Sequence, residues 1–206
     1  MESLCAKCAR RGTDCCSGEG YGTTVTLEEA EIISRHTGKH ASEFTEFSRD
    51  MELADGMPLA AFPNLIFVSH KEKRTLPLAT KNGNRLMLKK VNIDGRPSCI
   101  FLGPKGCTIP EVRPKYCRFY PFWLFEDRQG EIQLFLNKCG SREDENCLII
   151  QTYFDDEGHE RQLNAVGETE KGLKELGKAY ISELKQYSGD IEELEKGKSL
   201  SELRNN

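Results

Sequence analysis

An α+β fold, mainly helical with short strands and long loops, is predicted from three observations. Stretches at both ends of the chain carry apolar residues at helical spacing. Short runs between them are rich in β-branched and aromatic residues and bounded by turn signals. The nine cysteines crowd into a few zones, mostly beside Gly, Pro, Arg or Lys, and not within the apolar stripes.

The first 22 residues read as an irregular loop built around Cys5, Cys8, Cys15 and Cys16. A helix is then expected from Thr26, where Thr26-Leu-Glu-Glu29 forms a capping box and Gly38 a stop. A second helix is expected over 42–54, burying Phe44, Phe47, Met51 and Leu53. Strands are expected at 64–69, 86–93, 98–102 and 132–136, with turns at Asn82-Gly83-Asn84 and Asp94-Gly95. Helices return at 143–154 and at 168–187, the latter with Leu173, Leu176, Tyr180, Leu184 and Tyr187 on one stripe. The last fifteen residues are polar and expected to fray. With 206 residues and no low-complexity linker, a single domain is expected overall. Residues 1–142 form a cysteine-rich module, and residues 143–206 an acidic helical C-terminal extension packed on it.

Composition limits the function. An apolar fraction of 37% against 30% charged residues leaves a thin core. No apolar run approaches the ~18 residues that span a bilayer. The opening MESLCAKCARRG has no apolar stretch of signal-peptide length, so a cytoplasmic location is expected. In a reducing compartment, closely spaced thiols serve as metal ligands or catalysts more often than as disulfides. The formal charge of −4 is segregated: residues 1–69 carry −5, residues 70–139 carry +8 and residues 140–206 carry −7.

The cysteines read Cys5-x2-Cys8-x6-Cys15-Cys16, then Cys99-x7-Cys107-x9-Cys117-x21-Cys139-x7-Cys147. Thiolates are soft ligands suited to Zn²⁺ and to iron–sulfur clusters, and C-x2-C places two within reach of one ion. Cys147 precedes Leu148-Ile149-Ile150 and reads as a small core residue. Eight metal-ligand candidates remain: Cys5, Cys8, Cys15, Cys16, Cys99, Cys107, Cys117 and Cys139. Four thiolates close one zinc or one cubane, so eight could serve two centres or one polynuclear centre. The long loops would then be pinned by metal. Arg113 and Arg118 are the best candidates to donate hydrogen bonds to sulfur or to a carboxylate, and the basic middle segment reads as compensation for thiolate charge. Nucleic acid is not an expected partner, because the chain is acidic overall and has no recognisable binding module. His36, His40, His70 and His159 read as surface residues. Ser17–Gly22 reads as a tight turn, and Trp123 with Phe119, Tyr120, Phe122 and Phe125 as a hydrophobic lid.

These residues carry a resemblance. Cys5-x2-Cys8…Cys15-Cys16, Cys99-Ile-Phe-Leu, Gly106-Cys107-Thr-Ile, Arg113-Pro114-x2-Cys117-Arg118-Phe-Tyr-Pro121-Phe122 and Cys139-Gly140 resemble the CxxCxxCC (YkgJ-like) cysteine-cluster family over residues 5–140. That resemblance implies zinc or iron chelation. The gap of six residues before the Cys pair is longer than the commonest form, and Ile109-Pro110 stands where Ile-Tyr is more usual. The cysteine module is also similar to that of flagellin lysine N-methylase, which implies an iron–sulfur cluster. The leading expectation is therefore a cytoplasmic iron–sulfur protein with one or two clusters, 4Fe-4S in type. Its cluster would transfer electrons or assist modification of a partner protein. A zinc-binding structural or interaction module is the alternative cofactor reading, and a protein lysine methylase-like enzyme a third. The chain lacks a Gly-rich dinucleotide-type turn for a methyl donor, and no catalytic residue can be named.

Overall fold

The computed structural model describes residues 4–11, 16, 22–49, 66–69, 74–77, 80, 82, 84–136, 141–143, 147–155 and 158–203. Helices combined with short, mostly antiparallel strand pairs make the fold α+β.

Where the first loop was expected, Leu4–Arg11 is a helix, α1. Leu, Ala, Lys and Arg are strong helix formers, and they dominate the local preference around the two cysteines. Ala6 and Cys8 are buried. Helix α2 (Leu27–Thr37) begins at the expected capping box, with Glu29 N–H donating to Thr26 Oγ1 at 3.1 Å and Thr26 N–H donating to Glu29 Oε2 at 2.8 Å. Gly38, at φ 70°, closes it.

The helix expected over 42–54 is not formed within the described residues. Helix α3 (Ala41–Phe44) stops at Thr45, and Thr45–Arg49 is strand β1, antiparallel to β4 (Asn84–Leu88) with Phe47 opposite Leu86. Long-range pairing overrides a local helical pattern here. Residues 50–54 lie outside the described residues. The strand expected over 86–93 is two, β4 and β5 (Lys90–Ile93), parted at Lys89, whose N–H donates to Phe44 O. Strand β5 turns at Asp94-Gly95, both with positive φ, into β6 (Arg96–Cys99). The expected 98–102 strand likewise divides between β6 and β7 (Leu102–Gly103), which pairs with β8 (Gly106–Cys107).

A 3₁₀ turn (Pro110–Val112) and helix α4 (Lys115–Phe119) follow. The aromatic segment read as a lid is largely strand β9 (Phe122–Glu126). It forms a sheet in the order β10 (Ile132–Leu136), β9, β2 (Ile66–Ser69), β3 (Arg74–Pro77), with β2 and β9 parallel. Beyond it lie α5 (Leu148–Thr152), shorter than the expected 143–154, and α6 (Glu160–Val166). Helix α7 (Glu170–Glu195) is longer than the expected 168–187, and α8 (Leu200–Leu203) falls in the tail expected to fray.

Helix α7 carries the densest buried face: Leu173, Tyr180, Leu184, Tyr187 and Ile191 are all nearly inaccessible. It packs against β10, β3, β4, α4, α2 and β9. A Cβ at Gly177 would sit 3.1 Å from Ile132 Cγ2, so glycine lets the helix lie close on β10. Tyr187 also accepts the Leu86 N–H at 3.3 Å, tying the helix to β4.

One buried polar group orders the contact between α2, α4 and α7. Glu29, already in the capping box, accepts the Lys115 N–H at 2.7 Å through its other oxygen. Lys115 Nζ lies 2.7 Å from Glu183 Oε1 on α7 and 3.9 Å from Glu29 Oε1. Burial raises the Glu29 carboxyl above its ordinary value, while the two backbone donors and Lys115 pull partly against it.

Two outcomes are expected. Tyr187→Phe removes the acceptor for a buried N–H and should lower stability by about 1–3 kcal/mol in urea unfolding. An unchanged midpoint would exclude a stabilising role for that bond. For Glu29, the native state holds the proton in a window above pH 4.5 where the unfolded chain has lost it. Native protein then binds more protons, so Glu29 makes stability fall as pH rises through that window. Unfolding free energies of the wild type and Glu29→Gln across that range should show this slope in the wild type alone. The same slope in both would remove Glu29 as its source.

Candidate metal centre

The segments that carry Cys16 and Cys99–Cys107 are brought together by backbone pairing, and the Cys117 segment is joined to Thr23 and Glu29 through side chains. Cys99 N–H donates to Cys16 O at 2.7 Å, which sets the end of β6 against the N-terminal segment. Ile100 N–H donates to Lys89 O, which extends the β5–β6 pairing, and Thr108 N–H to Phe101 O, which extends that of β7 with β8. Gly106, at φ 107°, is in the left-handed region that favours glycine, and a Cβ there would lie 3.6 Å from the Ala6 Cβ of α1. Helix α1, with Cys5 and Cys8 in its sequence, thus packs on the strand that ends at Cys107.

Cys117 lies in α4. Thr23 Oγ1 is 3.4 Å from its Sγ. Thr23 itself is held by β4, its carbonyl accepting the Leu88 N–H at 2.9 Å. Burial pushes the Cys117 thiol far up, the Thr23 hydroxyl opposes this, and Cys16, Cys99 and Cys107 raise it further. Burial also raises Cys99, with Cys107 adding to the rise and Lys90 lowering it. Four thiols from separate parts of the chain are therefore electrostatic neighbours. A bound dication would have to overcome that rise to hold these sulfurs as thiolates. Among the described residues, no three Cys, His, Asp or Glu side chains stand close enough together to close on one ion.

The other cysteines are placed unevenly. Cys8 is buried on α1, and Cys147 is buried at the start of α5. Helices α1 and α5 pack together, with Arg11 Nη1 donating to Gln151 Oε1 at 3.3 Å. Cys5 lies within α1, while Cys15 and Cys139 fall outside the described residues, as do His70 and the turn residues 17–21. His36 and His40 are exposed, but His159 is half-buried, 5.9 Å from Phe122 in an edge-on contact.

Of the two arginines expected to meet sulfur or a carboxylate, Arg118 meets a carboxylate and Arg113 a backbone carbonyl. Arg118 forks onto Glu168, Nε to Oε1 at 2.6 Å and Nη2 to Oε2 at 3.1 Å. Arg113 Nη2 donates to Val166 O at 3.4 Å. Together with Lys115 on Glu183, these contacts run from the Cys117 segment to the helices that follow residue 160. Thr23, Glu168 and Glu183 had no signal in the sequence reading. Glu29 was visible there only as a helix cap, and its reach to Lys115 spans 86 residues.

Among the described residues, no helix is long and apolar enough to cross a membrane. No curated protein and no solved structure shows significant similarity to the chain. The sequence profile of the CxxCxxCC family, described as a “putative zinc- or iron-chelating domain”, matches residues 4–147, which include all nine cysteines. The order and spacing of those cysteines, and the thiol neighbourhood around Cys117, accord with that match, and the chain belongs to the CxxCxxCC family of metal-chelating domains.

Proposed function

We propose that the chain is an iron–sulfur protein whose ligands come from Cys5, Cys8, Cys15, Cys16, Cys99, Cys107, Cys117 and Cys139. The observation that carries this reading is the neighbourhood of Cys16, Cys99, Cys107 and Cys117: Cys99 N–H donates to Cys16 O, Cys107 pairs back with Leu102 three residues after Cys99, and Thr23, three residues before the helix cap at Thr26, sets its hydroxyl on Cys117 Sγ. An all-thiol donor set selects a soft metal, and a module with eight candidate thiols offers more than one tetrahedral zinc uses. When bound, a 4Fe-4S cluster supplies one-electron exchange at a potential set by hydrogen bonds to sulfur and by solvent exposure.

The chain's own residues would tune that exchange. Thr23 presents a hydroxyl to Cys117 Sγ, and Lys90 stands near enough to Cys99 to favour its thiolate. Cys16 and Cys107 are half-buried, so that side of the neighbourhood lies near the surface, where a partner could exchange electrons. The partner we infer is a protein, a redox partner or the substrate of a modification, in a reducing cytoplasmic setting. The 1–142 module and the 143–206 extension act as one unit, supported by the packing of α7 on β4, β9, β10 and α4.

Protein purified without oxygen should be brown, with stoichiometric iron and acid-labile sulfide and a broad visible band that bleaches on reduction. Colourless protein with zinc and neither iron nor sulfide would replace this reading with the zinc-stabilised module. Cys117→Ala should strip most of the bound metal. Cys147→Ala should leave metal content unchanged, and metal loss in that variant would make Cys147 a ligand.

A further inference from the structure

The C-terminal helices lie outside the residues that match the family, yet they hold the segment that carries Cys117. Three contacts do so within six residues of chain: Arg113 to Val166 O, Lys115 to Glu183, and Arg118 to Glu168. Glu183 reaches a second element as well, because Thr26 Oγ1 donates to its Oε2 at 3.4 Å. Thr26 continues the short segment whose Thr23 hydroxyl meets Cys117 Sγ. Glu29 spans the same two segments from the other side, through the Thr26 and Lys115 N–H groups. The sulfur of Cys117 and the hydroxyl beside it are therefore set relative to one another by carboxylates, one of which belongs to α7.

We propose that Glu168 and Glu183 are positioning residues for the metal centre, so that the extension after residue 147 sets the affinity of the family's metal-binding module in this chain. This rests on the reading that Cys117 is a metal ligand. Glu168 acts through Arg118, the residue next to Cys117, by a two-point fork that fixes the guanidinium plane. Glu183 acts through Lys115 and Thr26. Neither carboxylate touches metal or sulfur in this scheme, and their effect is on where the thiol stands. Outer contacts of this kind change metal affinity by roughly 10–100-fold in other sites.

The test uses the full chain and zinc or cobalt ion alone as the probe. Affinity is read by competition with a chromophoric chelator, and thiolate ligation by the cobalt–thiolate charge-transfer band. Glu168→Gln and Glu183→Gln should each weaken zinc binding by about tenfold or more. Lys178→Gln is the control, because Lys178 ties the helix that carries Glu183 to Glu131, 3.1 Å away, and not to the segment that carries Cys117. It should leave affinity unchanged. The exchanged pair Arg118→Glu with Glu168→Arg restores the contact and should recover affinity, which decides the matter if Glu168→Gln does not fold. Wild-type affinity in both glutamine variants would overturn the proposal. So would an equal loss in Lys178→Gln, or an exchanged pair that folds yet binds weakly. A wild-type chain with no cobalt–thiolate band would instead overturn the metal-ligand reading beneath it.

Discussion

Two carboxylates close on Lys115, and the relative placement of three helices follows from that contact. Glu29 is 4% exposed, and an isolated ionised carboxylate at such a depth would be strongly disfavoured. Its two oxygens instead accept backbone N–H groups from Thr26 and Lys115, and the Lys115 ammonium stands between it and Glu183. The arrangement satisfies two N–H groups at helix starts that would otherwise lack partners. Losing any one member would leave the others buried without compensation, which makes the cluster stringent as well as stabilising. The start of α2, the start of α4 and the middle of α7 are thereby fixed together. Cys117, two residues beyond Lys115, inherits its position from that junction.

Packing then extends the junction outward. Tyr180 packs at a 58° tilt against Phe119, ring centroids 5.3 Å apart, at the end of the Cys117 helix, and Tyr187 reaches the Leu86 N–H of β4. At the far end of α7, Glu195 accepts from Thr80, Asn82 and Asn84. One helix outside the family match thus contacts the module along its whole length. A thin core, expected from composition, is organised around this single long element.

What could be read from sequence was what is encoded locally. Thr26-x-x-Glu29, the Asp94-Gly95 turn, the 132–136 strand and the apolar stripe of α7 each occupy a few neighbouring residues, and each was legible. The segment after Ser42 was misread because Phe44 and Phe47 fit a helical stripe as well as a strand. The choice was made by β4, some forty residues away. The helix at Leu4–Arg11 was missed for the opposite reason: the cysteine spacing suggested a metal loop, while the Leu, Ala, Lys and Arg between the cysteines favour helix. The candidate site divides in the same way. Cysteine spacing marks the thiols directly. The groups around them, Thr23, Glu168 and Glu183, act across separations of 50 to 94 residues and leave no trace in any short window.

Segregated charge has a different consequence from the one its pattern suggests. A +8 segment beside thiols invites the idea that arginines face sulfur. In the fold, Arg118 faces Glu168, Lys115 faces Glu183 and Glu29, and the acidic partners come largely from the −7 segment. The opposite charges of middle and end neutralise one another across an internal contact, which also lessens the pull of the middle segment on phosphate backbones. Compensation next to the thiols falls to smaller contributions: the Phe101 backbone N–H and then Lys90 at Cys99, and the Thr23 hydroxyl at Cys117. A centre with several thiolates in that setting would retain much of its negative charge, and retained negative charge favours the oxidised state of a cluster. Arg113 and Arg118 therefore bear on such a centre by fixing the chain, and the potential would be set by the donors that reach sulfur.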